Sequence, residues 1–254
     1  MRIARKRFGQ NFLTDNNVID RIVNAVDADA NDRVVEIGPG HGALTHALFS
    51  TGCDLTLIEI DRDLSASLRE TFPKTKLINK DVMKIDFATL GDAPMRVVGN
   101  LPYNISTPLL FKLLERGTLF TDMFFMLQLE VVDRMTAKDS TKAYGRLSVM
   151  TQLYCQAEKL FDVPPEAFSP RPKVQSAMVR LTPRSQPLIS ESTILEEILI
   201  SAFSARRKTL RNALKKLFST PELESLGIDP SLRPENLTVD QFAACAAHIA
   251  SRRT

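Results

Sequence analysis

The chain has 254 residues, enough for one large domain or for a medium-sized domain with a smaller one attached. Hydrophobic residues make up 44% of it and charged residues 25%, so a core can form without metals or disulfides. The three cysteines and three histidines lack the spacing of a disulfide framework or a metal site, which favours a reducing cytoplasm. We expect no membrane span, because no stretch approaches about 18 uninterrupted apolar residues. We expect no signal peptide, because no apolar segment follows the basic N-terminus.

Positive charge is concentrated in two clusters, although the net charge is only +3. The first ten residues contain no acid and four basic residues: Arg2, Arg5, Lys6 and Arg7. The second cluster lies far away in sequence: Arg206, Arg207, Lys208 and Arg211. For either cluster alone, an ordinary solvated surface is the simpler interpretation. Together, on a nearly neutral chain, they indicate a surface that binds a polyanion.

Short apolar strands alternate with helical patterns over the first two thirds of the chain. We predict five strands, at residues 33–37, 54–60, 76–79, 95–99 and 123–129. Helices follow at residues 43–50, after a capping Asp61, and around Pro108. Strands separated by helices of this length predict a parallel sheet with helices on both faces.

The pattern changes after residue 150. Residues 159–163 and 174–181 are rich in β-formers, and a proline-dense loop joins them. Their spacing fits a hairpin that adds an antiparallel edge to the sheet. Beyond a polar linker at 182–190, only helices are expected, at 194–217 and 239–250. We therefore predict a domain at 1–184 and a small helical domain at 185–254.

A glycine-rich turn, Gly38-Pro39-Gly40-His41-Gly42, follows the first strand and allows close approach of a ligand. Glu59, at the end of the second strand, can accept hydrogen bonds from ribose hydroxyls. Both features suit NAD as well as S-adenosylmethionine. Asp81, after the third strand, can accept from the exocyclic amine of a cofactor adenine, although such an Asp is more often a helix cap. Glu36 can orient the loop or face the methionine end of the cofactor.

Asn100-Leu101-Pro102-Tyr103 follows the fourth strand, at the edge where open α/β sheets bind ligands. The adenine N6 amine is a poor nucleophile because its lone pair is delocalised into the ring. The Asn100 side-chain oxygen and the Leu101 carbonyl can hold its hydrogens and favour a pyramidal nitrogen. Tyr103 offers a ring on which an extruded base stacks. Coupled to the glycine turn, Glu59 and Asp81, this tetrapeptide predicts an adenine N6-methyltransferase.

The chain resembles the ribosomal RNA adenine N6,N6-dimethyltransferases, which modify two adjacent adenosines near the 3′ end of bacterial small-subunit (16S) RNA. The segments that carry the resemblance span nearly the whole chain: 8–13, 36–40, 99–104, 144–148, 168–174 and 206–209. The resemblance implies a class I, Rossmann-like methyltransferase fold, with a mostly parallel seven-stranded sheet that ends in an antiparallel edge hairpin, followed by a small all-helical C-terminal domain. It also implies S-adenosylmethionine as the cofactor, no metal, 16S RNA in the small subunit as the partner, and a monomeric cytoplasmic enzyme.

The resemblance also assigns roles to residues. The implied cofactor site comprises Asn11, Leu13, Gly38, Glu59, Asp81 and Asn100. From the residues alone, Asn11 and Leu13 suggest only the capped start of a helix. Phe168 resembles a second aromatic that sandwiches the target base with Tyr103, although a hydrophobic plug is an equal interpretation of that loop. The basic residues are then implied to contact RNA phosphates: Arg5, Lys6, Arg7, Arg206, Arg207, Lys208 and Arg211.

Other functions remain open at this point. A large-subunit RNA adenine dimethyltransferase of the antibiotic-resistance type shares the Gln-Asn-Phe and Asn-Leu-Pro-Tyr elements, but the other segments match the small-subunit enzymes better. DNA adenine methyltransferases usually carry a second proline where Leu101 stands. The alternative of a dehydrogenase would assign no function to residues 100–103. An assembly factor of the small subunit that acts mainly by binding is compatible with catalysis, and a role in late subunit biogenesis is expected.

Overall fold

A computed structural model describes residues 11–91, 94–102, 105–114, 116–185, 192–204 and 207–253. The described residues fall into two compact units, which are defined by the contacts within each unit. The first comprises Met1–Val132 and Glu158–Pro183, and the second comprises Asp133–Ala157 and Arg184–Thr254. One break in this division lies between Pro183 and Arg184, at the predicted boundary, but residues 133–157 also group with the C-terminal helices, which the sequence did not predict.

The elements up to the fifth strand of the main sheet are, in chain order, β1 (Phe12–Leu13), α1 (Asn16–Val26), β2 (Arg33–Ile37), α2 (Ala43–Ser50), β3 (Asp54–Ile58), α3 (Arg62–Thr71), β4 (Lys76–Ile78), β5 (Met95–Asn100), α4 (Ser106–Leu114) and β6 (Phe120–Gln128). The later elements are α5 (Leu129–Met135), α6 (Arg146–Tyr154), β7 (Cys155–Val163), β8 (Phe168–Ser169), β9 (Ser176–Pro183), α7 (Ser192–Phe203), α8 (Leu210–Ala213), α9 (Thr220–Ser225) and α10 (Val239–Arg253).

The main sheet has seven strands in the order β4-β3-β2-β5-β6-β9-β7. β2, β3, β4, β5 and β6 pair in parallel, whereas β9 runs antiparallel to β6. The prediction of a mostly parallel sheet closed by an antiparallel edge pair is confirmed. Strand bounds agree within a few residues; β6 begins earlier than expected, at Phe120, because Phe120 and Asp122 pair with Met95 and Arg96 of β5.

Helix starts follow the capping residues. The Asp61 carboxylate accepts from the backbone N–H groups of Asp63 and Leu64 and begins α3, as predicted. Asp15 does the same for α1, through the N–H groups of Asn17 and Val18. α1 then buries one apolar face against the core of the sheet domain: Val18, Ile19, Ile22 and Val26.

A second, two-stranded sheet was not predicted. β1 pairs antiparallel with β8, with Phe12 opposite Ser169 and Leu13 opposite Phe168. The interpretation of Asn11 and Leu13 as the capped start of a helix is therefore wrong, since the helix begins only after Asp15. Two-residue strands have no periodicity of their own, so only their distant partner reveals them.

In the second unit, α6 packs against α7 and α10. The single helix predicted over 194–217 is wrong: α7 ends at Phe203, and α8 is a separate short helix. The N–H groups of Leu210 and Arg211 donate to the carbonyls of Leu232 and Pro230, at 2.7 and 3.0 Å. These tertiary hydrogen bonds replace the donors that a continuous helix would use internally. Among the described residues, no helix combines the length and apolar character that a membrane crossing requires.

Candidate active site

A cavity of about 330 Å³ opens at the carboxyl ends of β2, β3 and β5. The register sets Ile37 beside both Ile58 and Gly99, so the residues that follow these three strands meet at one edge. All six residues of the implied cofactor site line the cavity, and so does Leu101: Asn11, Leu13, Gly38, Glu59, Asp81 and Asn100. The structure thus brings together β1 with the residue before it, the glycine turn and the Asn-Leu-Pro segment.

The glycine turn has a backbone that side chains would disturb. Gly40 has a φ of +61°, and a Cβ there would lie 2.9 Å from Cδ1 of Phe12. Its N–H donates to Oε2 of Glu59 at 3.2 Å. Glycine is therefore required at this position both by conformation and by contact, and the turn is tied to the acid at the end of β3.

Glu59 is buried, and backbone donors hold both of its oxygens. Oε1 accepts from the N–H of Asp61 at 2.8 Å, opposite the Gly40 contact on Oε2. Burial raises the pKa of this carboxyl, and the two N–H groups oppose that effect. Each carboxylate oxygen keeps a further lone pair for a ligand hydroxyl. Glu59 is thus a rigidly oriented acceptor at the cavity wall.

A second carboxyl, Glu36, lies deeper in the cavity wall with a relative exposure of 2%. The Thr45 hydroxyl donates to its Oε2 at 2.7 Å. Burial raises the pKa of Glu36 to about 8; the Thr45 hydrogen bond opposes this, and the nearby charge of Glu59 adds to it. Without a cation beside it, a carboxyl in this position holds a proton at neutral pH. A ligand with positive charge would favour its ionised form.

Asp81 begins the short helical turn Val82–Lys84 and lines the cavity. Its Oδ1 accepts from the N–H of Met83 at 2.9 Å, so the capping role is real. A carboxylate still has acceptor capacity on Oδ2, and the apolar Val82 and Met83 line the cavity beside it. This combination suits a flat heterocycle with an exocyclic amine.

Asn100 ends β5, and a hydrogen bond fixes the orientation of its amide. Nδ2 donates to the backbone carbonyl of Asn11 at 2.8 Å. Because a carbonyl accepts only from the nitrogen, the Asn100 Oδ1 is left as an acceptor on the other side of the amide. Leu101, buried at 1% exposure, also lines the cavity. The site therefore offers a fixed side-chain acceptor beside a backbone segment.

Of the two aromatic residues expected to hold a base, the structure describes one. Tyr103 lies outside the described residues. Phe168 is buried in the core cluster that also contains Leu13, Val163 and Ala167, and it does not line the cavity. Stacking of Phe168 on a base would require its ring to leave this cluster, so that role stays a prediction.

Several cavity residues were not found by sequence reasoning. Ile60 lines the cavity and is 45% exposed. Phe12 contacts His41, with ring centroids 4.2 Å apart. Met126 and Met178 lie opposite each other on β6 and β9 and form part of the lining. The position of Ile60 after Glu59 was an available signal, whereas the methionine pair depends on strand order.

The basic residues expected to contact RNA fall in two groups. Arg5, Lys6, Arg7 and Arg206 lie outside the described residues. Arg207, Lys208 and Arg211 are exposed in the second unit. Within the described part of the chain, no group of three or more His, Cys, Asp or Glu side chains could hold a metal ion.

Comparisons with known proteins identify relatives over nearly the whole chain. The family model described as ribosomal RNA adenine dimethylase matches residues 1–251. The "Ribosomal RNA small subunit methyltransferase A" of Hahella chejuensis is 51% identical over 253 residues, which cover 97% of this chain and 93% of that protein. The protein of the same name from Acinetobacter baylyi is 52% identical, covering 95% and 90%.

Two solved structures resemble the whole chain. A dimethyladenosine transferase from Plasmodium falciparum has a TM-score of 0.85 at 25% identity and covers 95% of this chain and 98% of that one. The 23S rRNA methyltransferase ErmE has a TM-score of 0.74 at 26% identity, covering 94% and 100%. With the family model matching almost every residue, and with the site at the expected sheet edge, this chain belongs to the ribosomal RNA adenine dimethylase family and is an enzyme of that class.

Proposed function

We propose that this protein transfers methyl groups from S-adenosylmethionine to the N6 amines of two adjacent adenosines, in the hairpin loop near the 3′ end of small-subunit (16S) ribosomal RNA. The observation that carries this proposal is the orientation of Asn100. Its Nδ2 is held by the Asn11 carbonyl, so Oδ1 is available to accept at the cavity that ends β5.

The residues around the cavity fit S-adenosylmethionine. Gly40 leaves room for the Phe12 ring beside the cavity, and its N–H orients Glu59. Glu59 supplies an acceptor for ribose hydroxyls, and Asp81 supplies one for the adenine amine. The buried Glu36 carboxyl favours a ligand that carries positive charge, as the sulfonium and the ammonium group of this cofactor do. When bound, the cofactor supplies an electrophilic methyl group.

The chain's own contribution to the chemistry is orientation and charge placement. The Asn100 Oδ1 and the Leu101 carbonyl accept from the two N6 hydrogens of the target adenine. Hydrogen bonds in this arrangement favour a pyramidal nitrogen and direct its lone pair toward the cofactor side of the cavity. Pro102 has no N–H and cannot compete for these acceptors. Holding this amine in line with the methyl donor is mainly a matter of positioning.

Tyr103 and Phe168 are the residues we assign to holding the extruded base, each worth about 1–3 kcal/mol if it stacks. Arg5, Lys6, Arg7, Arg206, Arg207, Lys208 and Arg211 are those we assign to RNA phosphates. Two methyl groups per base require that the pocket accept both the free and the monomethylated amine.

The small subunit is favoured over the large subunit by the relatives. Those named for the small-subunit enzyme are 51–52% identical to this chain. The structure named for 23S RNA is 26% identical. We also propose that the enzyme is monomeric and cytoplasmic, where ribosomal subunits are assembled, and that it acts in late assembly of the subunit.

The test is direct methyl transfer. Purified protein, labelled S-adenosylmethionine and small subunits from cells lacking the modification should yield labelled N6,N6-dimethyladenosine at two adjacent positions, read by mass spectrometry of RNA fragments. Large subunits without the corresponding modification serve as the control. Label in large-subunit RNA alone would assign the enzyme to the other substrate, and no label in either RNA would refute the proposal.

A further inference from the structure

Lys112 binds the loop that carries Asp81. It lies on α4, and its ammonium group donates to three backbone carbonyls: Met83 at 2.7 Å, Ile85 at 2.6 Å and Val82 at 3.4 Å. Among the described residues no carboxylate lies within ion-pair distance of it. The sequence contains nothing that singles out this lysine.

Two of the carbonyls belong to Val82 and Met83, in the turn Val82–Lys84 that Asp81 begins, and the third belongs to Ile85, which directly follows the turn. The carbonyl end of a helical turn carries partial negative charge, so a cation placed there is stabilised. Hydrogen bonds from a charged donor are also stronger than those between neutral groups. The Lys112 side chain therefore holds the backbone of the loop whose residues Asp81, Val82 and Met83 line the cavity. We take this part of the cavity as its adenine end.

α4 is a firm support for this contact. Four of its leucines have relative exposures of 2% or less: Leu109, Leu110, Leu113 and Leu114. Its first turn continues the Asn-Leu-Pro segment, since the N–H of Ile105 donates to Pro102 and the N–H of Leu109 donates to Ile105. The helix that holds the Asp81 loop is therefore the same helix that follows Asn100 and Leu101, the residues proposed to orient the target amine.

We propose that Lys112 is a positioning residue that holds the Asp81 loop against α4, and that cofactor affinity depends on this contact. The proposal rests on the proposed function, because it takes the Asp81 loop as the site of the cofactor's adenine. Lys112 touches neither substrate nor cofactor in this account; it acts through the placement of Asp81, Val82 and Met83.

The test compares four proteins by titration calorimetry with S-adenosylhomocysteine and by methyl-transfer kinetics. Lys112→Met keeps an unbranched side chain of nearly the same length and removes the donor. We expect its dissociation constant and its KM for S-adenosylmethionine to rise about tenfold, with kcat changed less than about threefold. Lys112→Arg, which keeps a cationic donor, should stay within about threefold of wild type. Lys84→Met changes an exposed lysine on the same loop and should leave both constants unchanged.

The possible outcomes separate the proposed cofactor from the proposed role of Lys112. Failure of the wild-type protein to bind S-adenosylhomocysteine would refute the proposed cofactor. Wild-type binding with equal binding by Lys112→Met would refute the role of Lys112 alone. A fall in kcat at unchanged KM would also overturn it, and so would loss of the folded circular dichroism signal in Lys112→Met, since the lysine would then serve the stability of the whole fold.

Discussion

At the scale of single residues, the buried Glu36 makes stability depend on pH. Its pKa is raised to about 8 in the folded protein, chiefly by burial, from the ordinary value of 4.5. Between these two values the folded protein holds a proton that the unfolded chain has lost. The free energy of unfolding of the ligand-free protein therefore falls as pH rises through this window, by up to about 1.4 kcal/mol per pH unit from this group.

Glu36→Gln should remove this dependence, because a glutamine has no proton to lose and can still accept from the Thr45 hydroxyl. In urea unfolding between pH 5 and pH 8, we expect the variant to become progressively more stable than wild type as pH rises. Glu70→Gln alters an exposed glutamate and serves as the control. Parallel pH profiles for wild type and Glu36→Gln would contradict the assignment.

At the scale of elements, alanine substitutions at two glycines separate the effect of a positive φ from the effect of a close steric contact. Gly40→Ala combines a positive φ with a Cβ contact of 2.9 Å to Phe12, whereas Gly227→Ala combines a φ of +69° with open space. The left-handed conformation alone costs roughly 1–2 kcal/mol. We expect Gly227→Ala to lose about that much stability and Gly40→Ala to lose more. Only Gly40→Ala should bind S-adenosylhomocysteine more weakly. Equal stability and equal binding in the two variants would be incompatible with a contact role for Gly40.

The sheet depends on a largely buried ion pair. Arg96 on β5 donates from Nε and Nη2 to both oxygens of Asp122 on β6, at 2.8 and 2.6 Å, and a third nitrogen contacts Asp32 at 3.3 Å. The Asp122 hydrogen bond is the main cause that raises the pKa of Arg96. The geometry therefore favours a charged, bidentate pair that links two neighbouring strands.

Arg96→Met should lower the free energy of unfolding by about 3–5 kcal/mol, since it leaves the Asp122 carboxylate buried without its partner. The matched control is Arg180→Met, which breaks the exposed pair of Arg180 with Glu158 and should cost about 0–1 kcal/mol. Chemical unfolding of both variants measures the difference. Losses of similar size would mean that burial of the Arg96 pair has no energetic consequence.

Sequence periodicity predicted the elements that carry a strong pattern. β2, α2 and β5 were found because their apolar residues recur at the spacing of a strand or a helix. The glycine turn, Glu59, Asp81 and Asn100 were found because strand ends in an open sheet are where ligands bind. β1 and the break after α7 were missed because distant backbone partners, not local preference, determine them.

The contribution of Lys112 was equally inaccessible. A lysine on an apolar helix is expected to extend into solvent, and only the position of the Val82–Lys84 turn reveals that it binds carbonyls instead. The Asn100 contact with Asn11 joins residues 89 positions apart. Sequence reasoning therefore identified which residues surround the site, whereas the hydrogen bonds that orient them required the fold.

At the scale of the whole molecule, binding of RNA should be strongly salt-dependent. A combined variant that replaces Arg207, Lys208 and Arg211 with alanine removes three exposed cations. We expect the slope of log affinity against log salt to become shallower by about 2, on the order of 0.7 for each phosphate contact. A matched variant replaces three exposed cations of the other unit: Arg62, Arg69 and Lys74. Equal slopes for the two variants would contradict the placement of the RNA contacts.

The central claim concerns the Asn100 side chain as the acceptor that orients the target amine. Single-turnover transfer of labelled methyl to unmodified small subunits, at saturating S-adenosylmethionine, tests it most directly. Asn100→Ala should lower the rate at least about 100-fold, while Asn17→Ala, an exposed change of the same kind on α1, should leave it unchanged. A rate for Asn100→Ala within a few-fold of wild type would contradict the account.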